Sequence, residues 1–539
     1  MNELKLYNSL IRNKEEFKPI NSPKVGLYCC GPTVYDYQHI GNMRTYIFED
    51  ILKRVLEYNG YKVKHVMNIT DIGHLVSDAD EGEDKMMKAL KREDLEVNKT
   101  SMMKLADKYT KAFQEDLEKL NIKSPDKYAR ATKYIKEQVK LIKTLIKKGY
   151  TYETSDGIYF DTTKYPEYGK LALLDRQELQ AGKRVDLAEK KDIHDFALWK
   201  FSKPGENRIM EWKAFGKMGF PGWHLECSAM SMKLLGKHFD IHCGGIDHIP
   251  IHHTNERAQN NCSTKTKECV NYWMHGEFLN RDPLGNLHLK NNIHVCPNCN
   301  YENLLKDRSN YKRKKVNNGI LLLVDCQKCQ KSFIGMKIEK MSKSSGGFIT
   351  LEDLEGKKIS PLAYRYFCLM THYRKPLSFS WEALEAAESG LNNLYSKVKN
   401  LGDKKGILNS DFKEKLLTSI NDDLNMPQIL ALISEVLSSS IKNEDKLTTI
   451  LEFDKVLGLN LDKIKNIKYV LPIEVGEIKT KGNDADFLHI PENINQLAEQ
   501  RKKARAEKNW KESDKLRDEI NKLGWEIEDH DNGYGLKKK

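Results

Sequence analysis

The stretch KVGLYCCGPTVYDYQHIGNMR, from Lys24 to Arg44, decides how the sequence around it is interpreted. It starts with a short apolar strand, passes a Gly-Pro break and enters a helix predicted over 43–58, where apolar residues recur at helical spacing. A second strand is predicted over 61–70. This order predicts a βαβ unit of a parallel sheet and places the intervening loop at the carboxyl edge, where ligands bind.

Two residues of that loop suit a phosphate group. Gly41 allows a nucleotide to approach the backbone, and His39 offers a donor beside the helix N-terminus, where anions are stabilised. Four residues of the type H-I-G-N fit an ordinary turn equally well. The nucleotide interpretation therefore depends on support from the rest of the chain.

The composition limits the class of protein. A chain of 539 residues is too long for one core, so three or more domains are expected. The sequence has no apolar run near the ~18 residues of a membrane span and no apolar leader, which predicts a soluble cytoplasmic protein. Its 11 cysteines would then be reduced and more often bind metal than form disulfides. The net charge of +12 is compatible with a polyanionic partner without requiring one.

The histidines are concentrated between residues 238 and 253. Five of the chain's 16 lie there, namely His238, His242, His248, His252 and His253. A helix predicted over 250–259 would place His252 and Glu256 on one face. Cys227 and one residue of the Cys29-Cys30 pair could complete a zinc site with them. Only one of that pair can face the site because successive strand residues point to opposite sides.

Two C-x-x-C knuckles lie further along the chain, formed by Cys296, Cys299, Cys326 and Cys329. Four thiolates from paired knuckles close a tetrahedral site, so a structural zinc is predicted rather than free thiols. The basic segment KDRSNYKRKK between them is interpreted as a solvated hairpin face, with nucleic-acid contact as the alternative. Beyond it, Lys340 and Lys343 in a Ser/Gly loop could neutralise phosphate oxygens during nucleotidyl transfer, although a lone K-x-x-K is usually a solvated loop.

Taken together, these segments resemble the cysteinyl-tRNA synthetase family of class I aminoacyl-tRNA synthetases. The resemblance covers almost the whole chain and is carried, in order, by CCGPTVYDYQHIGN, PGWHLECSAM, GGIDHIPIHHTNERAQ, KMSKSSGGF and the C-terminal segment 504–529. It implies a cysteine–tRNA ligase that forms cysteinyl-adenylate from L-cysteine and ATP with Mg, and then transfers cysteine to tRNA(Cys). A monomer that does not contact membranes is expected.

The resemblance also implies roles for individual residues. The active-site zinc would be held by Cys30, Cys227, His252 and Glu256. ATP would be bound by His39, Gly41, Asn42, Gly244, Asp247 and Lys343, with His39, Asn42, Lys340 and Lys343 as the catalytic residues. The cysteine pocket would contain Cys30, Thr70, Trp223 and His242. The anticodon would be read by Arg505, Asp514 and Asp529.

Three departures from the family pattern are visible. Asn42 stands where the signature usually has a second histidine, and it can donate a hydrogen bond but carries no charge. Leu536 stands at the family's late tryptophan, which puts one stacking contact in doubt. The segment 281–336, with its four cysteines, is foreign to the usual pattern.

The predicted fold class is α/β: a Rossmann-like class I synthetase catalytic domain with an inserted connective domain and a zinc-ribbon-like insertion, then an α-helical bundle and a small C-terminal anticodon-binding domain. Long helices are predicted over 86–146. The predicted bounds are 1–120 and 219–280 for the catalytic halves, 121–218 for the connective insertion, 281–336 for the zinc-ribbon-like insertion, 337–375 for the KMSKS loop and stem-contact region, 376–468 for the bundle, 469–493 for a linker and 494–539 for the anticodon domain.

Two other functions remain possible at this point. A related ligase that couples cysteine to an amino-sugar would use the same adenylation core, but it would not need the C-terminal segment. A zinc-ribbon nucleic-acid-binding protein with a degenerate core would be expected to have broken signatures, whereas the ligand and lysine candidates are all present.

Overall fold

The structure is a computed structural model that describes most of the chain. The described residues are 3–71, 85–174, 189–281 (without 204, 206, 207 and 265), 293–340 (without 297, 300, 305–311, 317 and 318), 348–463, and 494–538 (without 495, 496, 499, 502, 503, 506, 508, 531 and 532). Lys343 and the predicted linker 469–493 therefore lie outside the described residues. The chain divides into two compact units, Met1–Lys465 and Asn466–Lys539.

The strands are as follows, in chain order: β1 (Lys5–Asn8), β2 (Asn13–Glu16), β3 (Lys24–Cys29), β4 (Lys62–Ile69), β5 (Lys127–Arg130), β6 (Thr151–Glu153), β7 (Gly157–Phe160), β8 (Phe196–Phe201), β9 (Trp212–Ala214), β10 (Lys217–Pro221), β11 (Phe239–Gly245), β12 (Val270–Gly276), β13 (Leu279–Arg281), β14 (Ile293–Val295), β15 (Glu302–Leu304), β16 (Lys312–Val316), β17 (Gly319–Asp325), β18 (Ser332–Lys340), β19 (Leu377–Phe379), β20 (Trp525–His530) and β21 (Gly533–Lys538).

The helices are α1 (Ile40–Tyr58), α2 (Lys85–Arg92), α3 (Lys99–Lys119), α4 (Ile135–Lys147), α5 (Trp223–Leu235), α6 (Thr254–Thr264), α7 (Leu351–Gly356), α8 (Pro361–Leu369), α9 (Trp381–Lys399), α10 (Ser410–Asn421), α11 (Met426–Ser438), α12 (Asn443–Leu457) and α13 (Trp510–Lys522). Within the described part of the chain, none of these helices is long and apolar enough to cross a membrane.

A parallel sheet in the order β12-β11-β3-β4-β5 forms the centre of the first unit. The predicted βαβ unit is confirmed as β3-α1-β4. Helix α1 begins at Ile40, three residues before the predicted start, because the side chain of His39 accepts a hydrogen bond from the Asn42 backbone N–H and caps the helix. The helix ends at Asn59, and Gly60 follows with a φ of 86°.

The fifth strand of this sheet lies where the sequence predicted a helix. β5 is a four-residue strand, too short for its alternation to stand out between two amphipathic helices. It pairs with β4 from Lys127 to Arg130. The catalytic sheet therefore extends beyond the boundary at residue 120, and the connective segment begins after β5.

Two further sheets belong to the first unit. The order β6-β7-β8-β10-β9 is antiparallel throughout, and its core includes Leu198 and Trp199, with Leu141 of α4 and Leu225 of α5. The other has the order β16-β17-β18-β13-β19. Its strands β16 and β17 lie in the predicted insertion, and β18, which starts there, pairs with β13, the strand that follows β12. A two-stranded β14-β15 hairpin accompanies it.

The predicted α-helical bundle is confirmed and consists of α9 to α12. Asparagine side chains cap α10 and α11, and Gly458 ends α12 in the left-handed conformation. The second unit contains α13 and the β20-β21 hairpin, around a small core with Ile520, Trp525 and Ile527.

Candidate active site

The parallel sheet brings the candidate residues to its carboxyl edge. Cys30 follows β3, Thr70 follows β4, and Gly244 and Gly245 end β11. Because β3, β4 and β11 run parallel, these ends meet on the same side of the sheet. Helix α5 and the segment before α6 bring the remaining donors to that edge.

Cys30, Cys227, His252 and Glu256 form what is called here the metal-ligand group. Their donor atoms all lie within 4.8 Å of one another, and all four residues are buried. The segment predicted as one helix is a π-helical turn, Ile249–His253, followed by α6. Across this junction His252 Nε2 lies 3.0 Å from Glu256 Oε1, and Cys30 Sγ lies 3.9 Å from the same oxygen. The sequence therefore predicted the members of this cluster.

The chemistry of the metal-ligand group fits a divalent cation. Burial opposes ionisation of Glu256, but His242 and His252 lower the pKa of its carboxyl to about 2. A hydrogen bond from Cys30, aided by His252, lowers the pKa of the Cys227 thiol to about 7, while burial raises the pKa of Cys30. A thiolate pair, an imidazole and a carboxylate are the donors that zinc takes.

A second donor set overlaps the first. Cys30 and Glu256 also lie within 4.8 Å of His242 and His253 donor atoms. His242 Nε2 is 3.0 Å from Glu256 Oε2, and His253 Nε2 is 3.3 Å from Cys30 Sγ. The sequence analysis named His253 only as part of the histidine cluster, since adjacent histidines cannot be ranked by spacing alone.

A hydrogen-bonded chain leads away from this second set. His253 Nδ1 lies 2.8 Å from His275 Nε2, and His275 Nδ1 lies 2.8 Å from the Ser9 hydroxyl. Burial and neighbouring histidines hold the pKa of His253 and His275 well below the usual value. Sequence reasoning missed His275, although its place at the end of the predicted strand in NYWMHG was an available signal.

The predicted cysteine-pocket residues lie around the metal-ligand group. The Trp223 ring, at the start of α5, is 4.4 Å from the His252 ring between centroids. The Thr70 hydroxyl donates to Glu226 Oε2 over 2.9 Å in a buried position. His242 contacts Glu256 as described above. The structure thus brings Trp223 and His242 into contact with the metal-ligand group, while Thr70 contacts Glu226, the residue before Cys227.

A cleft of about 500 Å³ opens beside the N-terminus of α1 and is called here the α1 cleft. Its lining includes the predicted His39, Gly41, Asn42 and Asp247, and also Thr45, Gly245, Gly276, Glu277, Phe278 and Leu279. The sequence analysis did not name Thr45 or Glu277. Thr45 lies about one helical turn beyond the H-I-G-N segment, a spacing that could have pointed to it.

Neighbouring side chains lie so close to Gly244 and Gly245, at the end of β11, that neither position has room for a Cβ atom. A Cβ on Gly244 would come within 2.5 Å of His248 Nδ1 and 2.8 Å of His253 Cε1, and a Cβ on Gly245 would come within 2.4 Å of Asp247 Oδ1. Side chains at these positions would therefore displace a histidine of the second donor set or the carboxylate lining the α1 cleft.

Of the two signature lysines, Lys340 is the last residue of β18. Its backbone pairs with Asn280 of β13, the residue after Leu279 of the α1 cleft. Lys343 lies outside the described residues.

The four cysteines Cys296, Cys299, Cys326 and Cys329 form the four-cysteine group. The sulfur atoms of Cys296 and Cys329 are 3.6 Å apart, and those of Cys299 and Cys326 are 3.5 Å apart. Four thiolates around a tetrahedral zinc with 2.3 Å bonds would lie about 3.8 Å apart, so the group fits that ion. Burial opposes ionisation of Cys326, but backbone N–H groups of Cys329 and Lys328 lower the pKa of its thiol to about 6.

The predicted anticodon residues belong to the second unit. Arg505 has its guanidinium 5.6 Å from the centre of the Trp510 ring, which is 56% exposed. Asp514 is exposed on α13. Asp529 pairs with Tyr534 in the β20-β21 hairpin, and Leu536 pairs with Ile527 in the same ladder.

Comparison with known families matches both units. The family described as tRNA synthetases class I (C) catalytic domain matches residues 16–294 and 328–389. The family described as Cysteinyl-tRNA ligase anticodon binding domain matches residues 489–534. The chain belongs to the cysteinyl-tRNA ligase family. Residues 295–327, which contain three members of the four-cysteine group, fall between the two matched segments of the catalytic family.

Relatives in this family align over nearly the full chain. The chain is 43% identical to Cysteine--tRNA ligase 1 of Burkholderia lata, over 99% of this chain and 96% of the relative. It is 38% identical to the Cysteine--tRNA ligases of Treponema denticola, with 98% of each chain covered, and of Novosphingobium aromaticivorans, with 98% of this chain and 95% of the relative covered. These findings confirm the predicted family, fold class and enzyme class, a ligase among the class I aminoacyl-tRNA synthetases.

Proposed function

We propose that this enzyme activates L-cysteine with ATP to cysteinyl-adenylate and transfers the cysteine to tRNA(Cys). The observation that carries the proposal is the buried metal-ligand group at the same sheet edge as the α1 cleft. Gly244 lies against His253 of the second donor set and the next residue, Gly245, lines the α1 cleft, so a substrate held at the donor set would lie near a nucleotide held in the cleft. Amino-acid selection and activation would then occur side by side.

Cys30, Cys227, His252 and Glu256 would hold zinc. When bound, zinc supplies a position that takes the thiolate of cysteine and holds a neutral hydroxyl only weakly. Trp223 would cover the substrate from the rim, and Thr70 and His242 would line the pocket. A pocket alone distinguishes near-isosteres such as cysteine and serine by about 10² or less, so the donor set is what provides the larger discrimination.

Residues of the α1 cleft would bind ATP with Mg. His39 and Asn42 would donate to its phosphates at the helix N-terminus, where Gly41 leaves room for them. The Asp247 carboxylate would accept a hydrogen bond from the ribose. Gly244 is not among the residues that line the cleft, and its lack of a side chain leaves room for His248 and His253 instead. Lys340 and Lys343 would neutralise the pyrophosphate as charge develops on it.

The second unit would read the tRNA anticodon. Arg505, Asp514 and Asp529 would hydrogen-bond to unpaired bases, as polar side chains do in sequence-specific recognition of single-stranded RNA. A match to an anticodon-binding family at residues 489–534 supports this assignment. We also propose that the enzyme acts as a monomer and that the four-cysteine group holds a structural zinc.

The test is cysteine-dependent exchange between ATP and pyrophosphate, followed by charging of a tRNA with a GCA anticodon. We expect exchange with cysteine, with a preference over serine well above the about 100-fold that a pocket alone provides. A tRNA of identical body with a changed anticodon is the matched control and should be charged poorly. Activation without any tRNA charging would instead favour a ligase that couples cysteine to another acceptor.

A further inference from the structure

The four-cysteine group joins two hairpin turns. The first knuckle lies between β14 and β15, where the Cys296 N–H donates to the Tyr301 carbonyl. The second knuckle is the turn between β17 and β18: Cys326 follows the last residue of β17 directly, and its N–H donates to the Lys331 carbonyl just before β18. Any ion bound by the four thiolates therefore holds the turn from which β18 starts.

The apolar core around these turns is very small. Among the described residues, its buried members are Cys296, Val324 and Cys326, with Cys299 and Cys329 packed beside them. Such a cluster buries too little apolar surface to hold two turns together by itself. In modules of this size the metal commonly supplies the missing stabilisation, since its binding free energy is also folding free energy.

The far end of β18 reaches the proposed catalytic site. β18 pairs with β17 along its length, from Ser332 opposite Asp325 to Glu339 opposite Gly319, and a bulge interrupts the ladder near Leu322. Nine residues of strand span about 30 Å. At the end of that span Lys340 pairs with Asn280 of β13, next to Leu279 of the α1 cleft.

Hairpin register is set by the turn. A slip of one residue in β18 would move Lys340 by about 3.3 Å along the strand, to a register position of the opposite pleat. The ladder between β17 and β18 has one irregularity, at the bulge. The turn that contains Cys326 and Cys329 joins these two strands and therefore contributes to the register in which Lys340 meets β13.

We propose that a tetrahedral thiolate-bound metal ion, zinc by its donor chemistry, fixes the register of β18 through the four-cysteine group and thereby positions Lys340 for adenylate formation. The four cysteines are positioning residues, since none of them lines the α1 cleft or belongs to the metal-ligand group. This role lies outside the family's catalytic pattern, because three of the four fall between the two segments that match it. The part that concerns adenylate formation rests on the proposed function, whereas the part that concerns metal and register does not.

The test compares the full-length protein with the double variant Cys326→Ser/Cys329→Ser. Metal content per chain should fall from two ions to one, matching loss of one of the two sites. Backbone hydrogen exchange in Ser332–Lys340 should rise by about tenfold or more, with exchange in β11 unchanged. The kcat for cysteine-dependent pyrophosphate exchange should fall by about tenfold or more, while the KM for cysteine stays within about twofold.

Two further variants keep the test decisive. Lys328→Ala alters an exposed residue of the same turn and should leave the metal content, the β18 exchange and the kcat unchanged. The single variant Cys329→His keeps four zinc-ligand side chains and should retain the metal content, the β18 exchange and the kcat close to the starting values. Retention with histidine also separates metal loss from general misfolding of the double variant.

Three outcomes overturn the proposal. The first is a double variant that retains both metal ions. The second is loss of one ion with the hydrogen exchange of β18 and the kcat both unchanged. The four-cysteine group would then stabilise only the two turns that it joins. The third is loss of the ion with faster β18 exchange but an unchanged kcat. If the unaltered protein shows no cysteine-dependent exchange at all, the proposed function fails, while metal content and β18 exchange still decide the role of the turn.

Discussion

At Cys227 in the metal-ligand group, replacing the sulfur atom by oxygen would change the ability of the side chain to bind a metal. The pKa of the Cys227 thiol is lowered to about 7 by the Cys30 hydrogen bond and the neighbouring His252, despite burial. A serine would keep the size of the side chain but would present a neutral hydroxyl, which is a poor zinc ligand. We expect Cys227→Ser to lose the active-site metal and to raise the dissociation constant for cysteine by about 100-fold or more.

Metal analysis and calorimetric titration with cysteine would check this prediction. Cys269→Ser is the matched control, because Cys269 is also buried, close to Thr264, and lies outside both metal groups. Tight cysteine binding by metal-free Cys227→Ser would show that the metal-ligand group does not select the substrate.

The absence of a side chain at Gly245 leaves room for the Asp247 carboxylate. An added Cβ would lie 2.4 Å from Asp247 Oδ1, and that short carboxylate can relieve the clash by rotating away. Gly245→Ala should therefore raise the KM for ATP by about tenfold with little loss of thermal stability. Gly356→Ala, at the end of α7 with open space around its Cβ, is the control. An unchanged KM for ATP in steady-state exchange assays would remove Asp247 from the nucleotide site.

At the scale of elements, α3 carries the carboxyl group of Asp116, whose ionisation destabilises the folded chain at neutral pH. Burial raises the pKa of Asp116 to about 7, with Lys119 opposing the rise and Glu355 adding to it. Because the folded chain holds this proton more tightly than the unfolded chain, stability from this group falls as pH rises from about 4 to about 7. Asp116→Asn should raise the melting temperature at pH 8 by a few °C and leave it unchanged near pH 4.

Melting curves at the two pH values would check the direction of this change in melting temperature. Glu115→Gln, a neighbouring exposed carboxylate paired with Lys111, should change the melting temperature little at either pH. A stabilisation by Asp116→Asn that is equal at both pH values would contradict titration as its cause.

The individual elements also show which parts of the fold and of the candidate site could be predicted from the sequence. The β3-α1-β4 unit was predictable because its apolar spacing and its Asn-Gly stop are local signals. β5 was not, since the four residues from Lys127 to Arg130 become a strand only by pairing with β4. The candidate ligands Cys227, His252 and Glu256 were predictable from residue type and spacing, and the family resemblance selected Cys30 from the Cys29-Cys30 pair. His253 and His275 depended on which of several histidines the tertiary fold turned toward Cys30.

At the scale of the whole molecule, the candidate active-site residues and the predicted anticodon residues belong to different compact units. The first unit contains the metal-ligand group, the α1 cleft and the four-cysteine group, all within residues up to 465. The second contains Arg505, Asp514 and Asp529, within or beside the matched anticodon-binding family. On the proposed function, we expect adenylate formation to need no residue of the second unit, whereas charging would require the anticodon to be read.

A chain that stops after residue 465 tests this division. Since its core is separate from that of the second unit, the truncated chain should keep cysteine-dependent pyrophosphate exchange within about twofold in kcat. Its kcat/KM for charging a GCA-anticodon tRNA should fall by about 100-fold or more, because hydrogen bonds to unpaired bases are lost. The control is full-length Asp514→Asn, which keeps the second unit and should lose only part of that charging efficiency. Equal loss of exchange and charging in a truncated chain with a normal melting transition would show instead that the second unit supports the catalytic site itself.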